Sequence, residues 1–209
     1  MLLTSNSKLK KDKIWNFDLP AYKSSTGLIT CPNASTCIAN CYARQGTYQF
    51  SNVKAKHEAN LQATLKDSFV ADMIAEITKL GKKVRAIRIH SAGDFYSREY
   101  ADKWLEIINA LPTVQFYAYT KSWDWFNLDN LPTNFKVIQS EGGKLTIDTK
   151  YPHARVFDDE DSIPADYNNA SVSDVVAIEN TNIALTYHGT KKATMNGFIN
   201  TNKQLNKVA

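Results

Sequence analysis

Outside one short segment, CPNASTCIANCYA at 31–43, the 209-residue chain has no cysteine. Three is an odd number, and a disulfide framework spreads paired cysteines along a secreted chain, so such a framework is excluded. Long apolar runs are also missing. None approaches the ~18 residues that span a bilayer, so no membrane partner is expected. The opening, MLLTSNSKLKKDK, sets its lysines after a short apolar stub. A secretory signal has the reverse order, so the expected compartment is the cytoplasm. Internal repeats and low-complexity tracts are absent, which excludes solenoids and flexible linkers.

An excess of one charge is lacking too. Lys and Arg number 25 against 21 Asp and Glu, a formal net charge of +4. That balance allows contact with nucleic acid without arguing for it. The lysines are scattered rather than gathered in one block, which reads as a solvated surface. With 43% apolar and 22% charged residues, the whole of 1–209 is expected to fold as a single domain around one core.

What is present is alternation. IWNFDLPA (14–21) reads as a first strand, and the cysteine segment follows it. Residues 52–80 read as one long helix, with Ser51 as N-cap and Gly81 as the stop. Leu61, Leu65, Phe69, Met73, Ile77 and Leu80 recur at helical spacing and predict one apolar face. VRAIRIH (84–90) is a second strand. Residues 97–110 form a second helix, capped by Ser97, that buries Tyr100, Trp104, Ile107 and Ile108. VQFYAYT (114–120) is a third strand, followed by a short helix over 122–128. Further strands are expected at 135–140, 154–158 and 182–188, with a helical tail from Lys191. Strand–helix alternation predicts an α/β fold with a mainly parallel sheet, as a partial (β/α) barrel or an open sheet. Residues 141–181 are poorer in helical signals.

Under this reading the chemically active residue types fall after strand C-termini. The cysteine loop follows strand one, and His90, Ser91, Gly93 and Asp94 follow strand two. Thr120, Lys121 and Ser122 follow strand three, and Ser140, Glu141, Gly142 and Gly143 follow strand four. Asp158 and Asp159 come after strand five, and His188 and Gly189 after strand six. Ligands of parallel α/β sheets sit at that edge, so one small-molecule or nucleotide site is expected there.

The thiols carry the sharpest expectation. Thiolates suit zinc or iron–sulfur clusters. Cys37 and Cys41 are four apart, so a helical turn puts both sulfurs on one face, and Cys31 reaches back through the Pro32 loop. Three cysteines leave a tetrahedral zinc one ligand short, and a [4Fe–4S] cluster with one iron open. His188 is a fourth-ligand candidate. The C-x5-C-x3-C spacing fits no common zinc finger, so a cluster is favoured over zinc with a fourth His or Asp, and over merely structural thiols. In HSAGD, Gly93 would let a ligand approach closely, with His90 or Asp94 in contact; the structural alternative is an Asp94 cap on the next helix. Lys121 could hold a carboxylate or phosphate. Trp123, Trp125 and Phe126 read as core, with base stacking as the alternative.

Taken together, CPNASTCIANCYARQG, RIHSAGDFYSREYADKW and FYAYTKS resemble the gene product eighty-eight family of phages and bacterial mobile elements, over about residues 25–125. That resemblance implies a protein of the host cytoplasm. A more distant likeness is to radical S-adenosylmethionine enzymes. It implies a partial (β/α) barrel whose first loop carries three cysteines, here Cys31, Cys37 and Cys41, with S-adenosylmethionine on the fourth iron. It also implies that Gly93 and Asp94 orient the amino group of that cofactor. The spacing departs from the C-x3-C-x2-C of those enzymes, and a ribose-binding motif is not found. Three functions follow as expectations: a radical enzyme, a redox, sensing or nucleic-acid-binding protein whose fourth iron is capped by His90, Asp94 or His188, and a zinc-stabilised module.

Overall fold

The computed structural model describes residues 1–187. Its frame is a curled seven-stranded sheet, parallel throughout, with helices packed on it. The strands are β1 (Ile14–Phe17), β2 (Ala86–Ile89), β3 (Gln115–Thr120), β4 (Phe135–Ser140), β5 (His153–Phe157), β6 (Asn168–Asn169) and β7 (Asn182–Thr186). They lie in the order β1-β2-β3-β4-β5-β7-β6, so the sheet is a half-barrel with β1 at one edge. The register sets Ile14 beside Ala86, Ala86 beside Gln115, and Phe116 beside Phe135. The helices are α1 (Ser7–Lys11), α2 (Cys37–Asn40), α3 (Ser51–Thr64), α4 (Phe69–Leu80), α5 (Arg98–Ala110) and α6 (Asp174–Glu179).

Side chains alternate across a strand, so each strand feeds two apolar layers. Ile87, Ile89, Phe116 and Ala118 face one layer, where α4 supplies Phe69, Met73 and Ile77 and α5 supplies Trp104, Ile107 and Ile108. Ala86, Tyr117, Ile138, Ala154 and Ile183 face the other, closed by Leu9 of α1 and Ala177 of α6. Full burial of each large side chain contributes roughly 1.5–3 kcal/mol, so these two layers carry the fold. They also leave the C-terminal ends of the strands free to carry loops.

The α5 reading holds in detail. The Ser97 hydroxyl accepts the Tyr100 N–H, and Tyr100, Trp104, Ile107 and Ile108 are buried. Gly81 ends α4 with φ +51, a conformation open to glycine. The single 52–80 helix is corrected to two. The chain leaves the helix at Leu65–Ser68, where Lys66 N–H turns back to the Ala63 carbonyl and Phe69 N–H to the Lys66 carbonyl. The Ser68 hydroxyl donates to Asp72 at 2.9 Å in the first turn of α4, and the break turns Leu65 outward, 52% exposed. Phe50, not Ser51, occupies the N-cap of α3. The 122–128 helix is a single 3-10 turn at Trp123–Trp125. Elements α1, α6 and β6 were not expected. The tail from Lys191 and His188 lie outside the described residues. Among the described residues, no helix is long and apolar enough to cross a membrane.

Candidate functional site

The cysteine loop is held by its neighbours. Beyond β1, the Leu19 N–H donates to the Ala92 carbonyl at 2.9 Å, so the first loop starts against the second. A tight excursion over 22–30 returns through Thr30 N–H to the Tyr22 carbonyl, and the Asp94 N–H then donates to the Thr30 carbonyl. The loop is next clamped to the one after β4. Lys144 N–H donates to the Asn33 carbonyl at 2.9 Å, and Cys37 N–H to the Gly142 carbonyl at 3.4 Å. Gly143 permits this approach. A Cβ there would stand 3.0 Å from the Asn33 carbonyl oxygen and 3.1 Å from the Lys121 side chain.

The loop after β2 is fixed by two buried aspartates. Asp18 accepts the N–H groups of Ser91 at 2.5 Å and Ala92 at 3.0 Å. Asp94 accepts the Phe95 N–H, the Thr120 hydroxyl and the Lys121 N–H at 2.8, 2.6 and 2.9 Å. Both Asp94 oxygens are therefore occupied, and Ser97 alone caps α5. Gly93 has φ +81, and a Cβ on it would lie 2.6 Å from that of Leu19. The close neighbour that demands glycine is thus Leu19. The Tyr42 hydroxyl donates to the Ser91 carbonyl and links this loop back to the cysteines.

These loops enclose a cavity of about 150 Å³ at the C-terminal ends of the strands. Cys31, Cys37 and Cys41 line it, together with His90, Ser91, Gly93 and Asp94 of the second loop. Lys121 and Ser140 complete the rim, and Arg88, Tyr119, Val156 and Leu185 form the wall inside the curl. Lys121 Nζ donates to Ser140 Oγ at 2.7 Å. Asp158 and Asp159 stay away; Asp159 closes a local turn with Ser162. Phe126 packs on Phe95 and Phe135, in the core role expected of its cluster.

Burial governs the electrostatics. It pushes the Cys31 thiol up to about 12, with the Asp94 charge acting in the same direction. Burial also raises Cys41, against an opposing backbone hydrogen bond at Ala43 and the Lys121 charge. It lowers His90 to about 3, so that imidazole is neutral. His90 Nε2 pairs with the Tyr100 hydroxyl at 2.9 Å, while Nδ1 is buried without a partner. Desolvation favours the protonated form of Asp18 and the neutral form of nearby His57, each against the other's charge.

Among the described residues, no three His, Cys, Asp or Glu side chains converge as a single metal ion requires. A tetrahedral zinc needs all its sulfurs within about 2.3 Å of one centre. A cubane gives each thiolate its own iron, so its ligands need not meet at one centre.

A family model described as gene product 88 matches residues 1–202. The chain belongs to the gene product 88 family. Similar to it are the gene 88 protein of Mycobacterium phage L5, 32% identical over 104 residues, and that of Mycobacterium phage D29, 31% identical over 104 residues. The match covers 44% of this chain in both cases, and 43% and 42% of the two phage proteins, so it spans less than half the length of these relatives. No solved structure matches the chain.

Several site residues escaped the sequence reading. Asp18 had a signal, an acid inside the apolar run WNFDLP. Arg88 had one too, a charge at a strand position that faces the curl. Its guanidinium lies 5.0 Å from the Tyr119 ring centroid and pairs with Asp174 at 2.9 Å. Glu141, which the sequence places among the strand-end residues, is buried, accepts from Arg155 through Oε1, and keeps Oε2 unpartnered.

Proposed function

We propose that Cys31, Cys37 and Cys41 hold a [4Fe–4S] cluster in the strand-end cavity, with its fourth iron open to an added ligand. The observation that carries this reading is that the chain's three cysteines, from a loop and a helical turn, all line one cavity with the polar loops after β2, β3 and β4. Soft thiolates gathered at one partly enclosed hollow suit a cluster better than a solvent-exposed role. The finer form of the reading takes that added ligand as S-adenosylmethionine, in a cytoplasmic relative of radical enzymes. Bound there, a reduced cluster supplies one electron to the cofactor. In that form Ser91 and Gly93 shape the near wall, Asp94 holds the loop in place, and Lys121 faces a carboxylate. The substrate would occupy the Arg88–Tyr119 side of the cavity.

The unpartnered Nδ1 of buried His90 supports a second reading. His90 is part of the cavity lining, and as a cap on the fourth iron its neutral imidazole would make the protein a redox or nucleic-acid-binding protein rather than an enzyme.

Anaerobic reconstitution with iron and sulfide counted, followed by EPR of the reduced protein, tests both forms. About four irons and four sulfides per chain are expected for a cubane. Their loss in Cys31→Ser, Cys37→Ser or Cys41→Ser is expected too. A signal that shifts on adding S-adenosylmethionine supports the enzyme form. An unchanged signal that alters in His90→Ala supports the capped form. Zinc without sulfide would overturn the cluster reading.

A further inference from the structure

At the N-terminal edge of the sheet, opposite the cysteine cavity, the fold gathers lysines that lie far apart in the chain. Lys10 belongs to α1, Lys13 leads into β1, and Lys82 and Lys83 form the turn between α4 and β2. With Trp15 on the edge strand they line a cavity of about 390 Å³. All four lysines are exposed. None has an ion pair or a side-chain hydrogen bond among the described residues.

The nearby acids are engaged elsewhere. Asp12 accepts the Ser173 hydroxyl at 2.8 Å, Asp174 takes Arg88 and Lys8, and Glu179 takes Arg85. Glu76 holds the N–H groups of Leu2 and Leu3 at 2.6 and 2.8 Å. Among the described residues, no carboxylate pairs with the four lysines of the cavity. Trp15 is half-buried, and its Nε1 donates to the Lys83 carbonyl at 3.1 Å, which fixes the indole beside the lysines. The turn itself is pinned: Lys13 has φ +54, and its carbonyl accepts the Arg85 N–H at 2.8 Å.

Four unpaired ammonium groups around one hollow repel one another, and a polyanion would relieve that repulsion. A fixed aromatic ring among them adds a surface for a base. Single strands offer both phosphates and unstacked bases, whereas a duplex keeps its bases inside. We propose that this patch binds single-stranded nucleic acid, with the lysines on phosphates and Trp15 against a base. The site is independent of the cysteines and would stand if they hold no cluster.

The test is anisotropy of a labelled oligodeoxythymidine of about a dozen nucleotides with the full chain, across a salt series. Four phosphate contacts predict a slope of log affinity against log salt near −3, at about −0.7 per contact on single strands. Lys82→Gln/Lys83→Gln should reduce that slope by about 1.4 and weaken binding at low salt roughly tenfold. The charge-matched Lys54→Gln/Lys66→Gln, on α3 and the turn after it, should change neither. Trp15→Phe should keep the slope, weaken binding severalfold and reduce the indole quenching expected on binding. Should Trp15→Phe fail to fold by circular dichroism, the lysine pair decides alone. The proposal is overturned by no binding at low salt, by wild-type binding in Lys82→Gln/Lys83→Gln, or by a duplex that binds as tightly with the same need for Trp15. Binding to phosphatidylserine vesicles but not to the oligonucleotide would overturn it as well.

Discussion

The Thr120 hydroxyl donates to the buried Asp94 carboxylate at 2.6 Å, and this bond joins the loop after β2 to the end of β3. The same carboxylate takes the N–H groups of Phe95 and Lys121. Three donors converge on one acid, so an amide in its place would turn an NH2 toward another donor. Asp94→Asn should destabilise the fold by about 2–3 kcal/mol, and Thr120→Val by about 1 kcal/mol. The double variant should cost less than the sum, because both changes break one network. Urea midpoints at constant slope measure all three. Equal effects of the two single variants would mean that the backbone amides contribute nothing.

A second pair is set inside the curl. Asp174 of α6 accepts from Arg88 at 2.9 Å and from the Tyr117 hydroxyl at 2.6 Å. Burial opposes its ionisation, but the Arg88 charge, the Tyr117 hydroxyl and Lys8 outweigh that and hold the carboxyl below its ordinary range. Removing one partner strands the other charge. Asp174→Leu or Arg88→Met alone should cost about 3–5 kcal/mol, while the two together should cost clearly less. A double-mutant cycle by chemical denaturation reads the difference, and simple additivity would show that the pair is solvated.

Much of the frame was legible from sequence because it rests on period and punctuation. The α5 stripe, its Ser97 cap and the apolar strands at 84–90, 114–120 and 135–140 announce themselves locally. The common strand-end address of Cys31, His90, Asp94 and Lys121 followed from that alternation. What was missed depends on distant partners. The α3–α4 break needed the tertiary setting that lets Leu65 face outward. Asp94 was read as a ligand contact or a helix cap because Thr120 is 26 residues away. Gly93 looked like a gap for a ligand, and the structure fills that gap with Leu19. The α6 helix is only six residues long, and it is held by Arg88 rather than by its own propensity.

The Leu19 contact gives the next expectation. Gly93 combines φ +81 with a Cβ position 2.6 Å from Leu19, so Gly93→Ala meets both strain and overlap. A loss of about 2 kcal/mol is expected, against a few tenths for a surface change. In a chain of this size that lowers the melting temperature by roughly 4–8 °C. Removing the obstacle tests the cause. The contact is with the Leu19 Cβ, which alanine would keep, so Gly93→Ala should cost less in a Leu19→Gly background, and an undiminished cost would assign the whole effect to backbone strain.

His90 gives a pH expectation with a definite sign. Its folded value is lowered from 6.5 to about 3 by burial. The unfolded chain therefore takes up a proton between those values while the native imidazole stays neutral. Stability is full above pH 6.5 and falls as pH drops, by about 2 kcal/mol from His90 alone between pH 6.5 and pH 5. His90→Asn keeps a residue type tolerant of the φ of +68 found there. It should be less stable at pH 7 yet lose less on acidification. Parallel pH profiles of the two proteins would place the proton elsewhere.

Cys31 links the fold to its proposed cargo. Its thiol is pushed up from 9.0 to about 12, by burial first and by the Asp94 charge second. The thiolate is the species that alkylates and that binds iron. In cluster-free protein at pH 8, Cys31 should react with iodoacetamide roughly a thousandfold more slowly than a thiol of ordinary value, read by peptide mapping. Asp94→Asn should raise that rate by removing one of the two causes. Cluster assembly must release the same proton, so its apparent affinity should rise about tenfold per pH unit from Cys31 alone between pH 7 and pH 9. Iron retained against a chelator across that range measures the slope. A flat profile, with Cys31 alkylating at the ordinary rate, would mean that water reaches the thiol and that the cavity wall does not hold its proton.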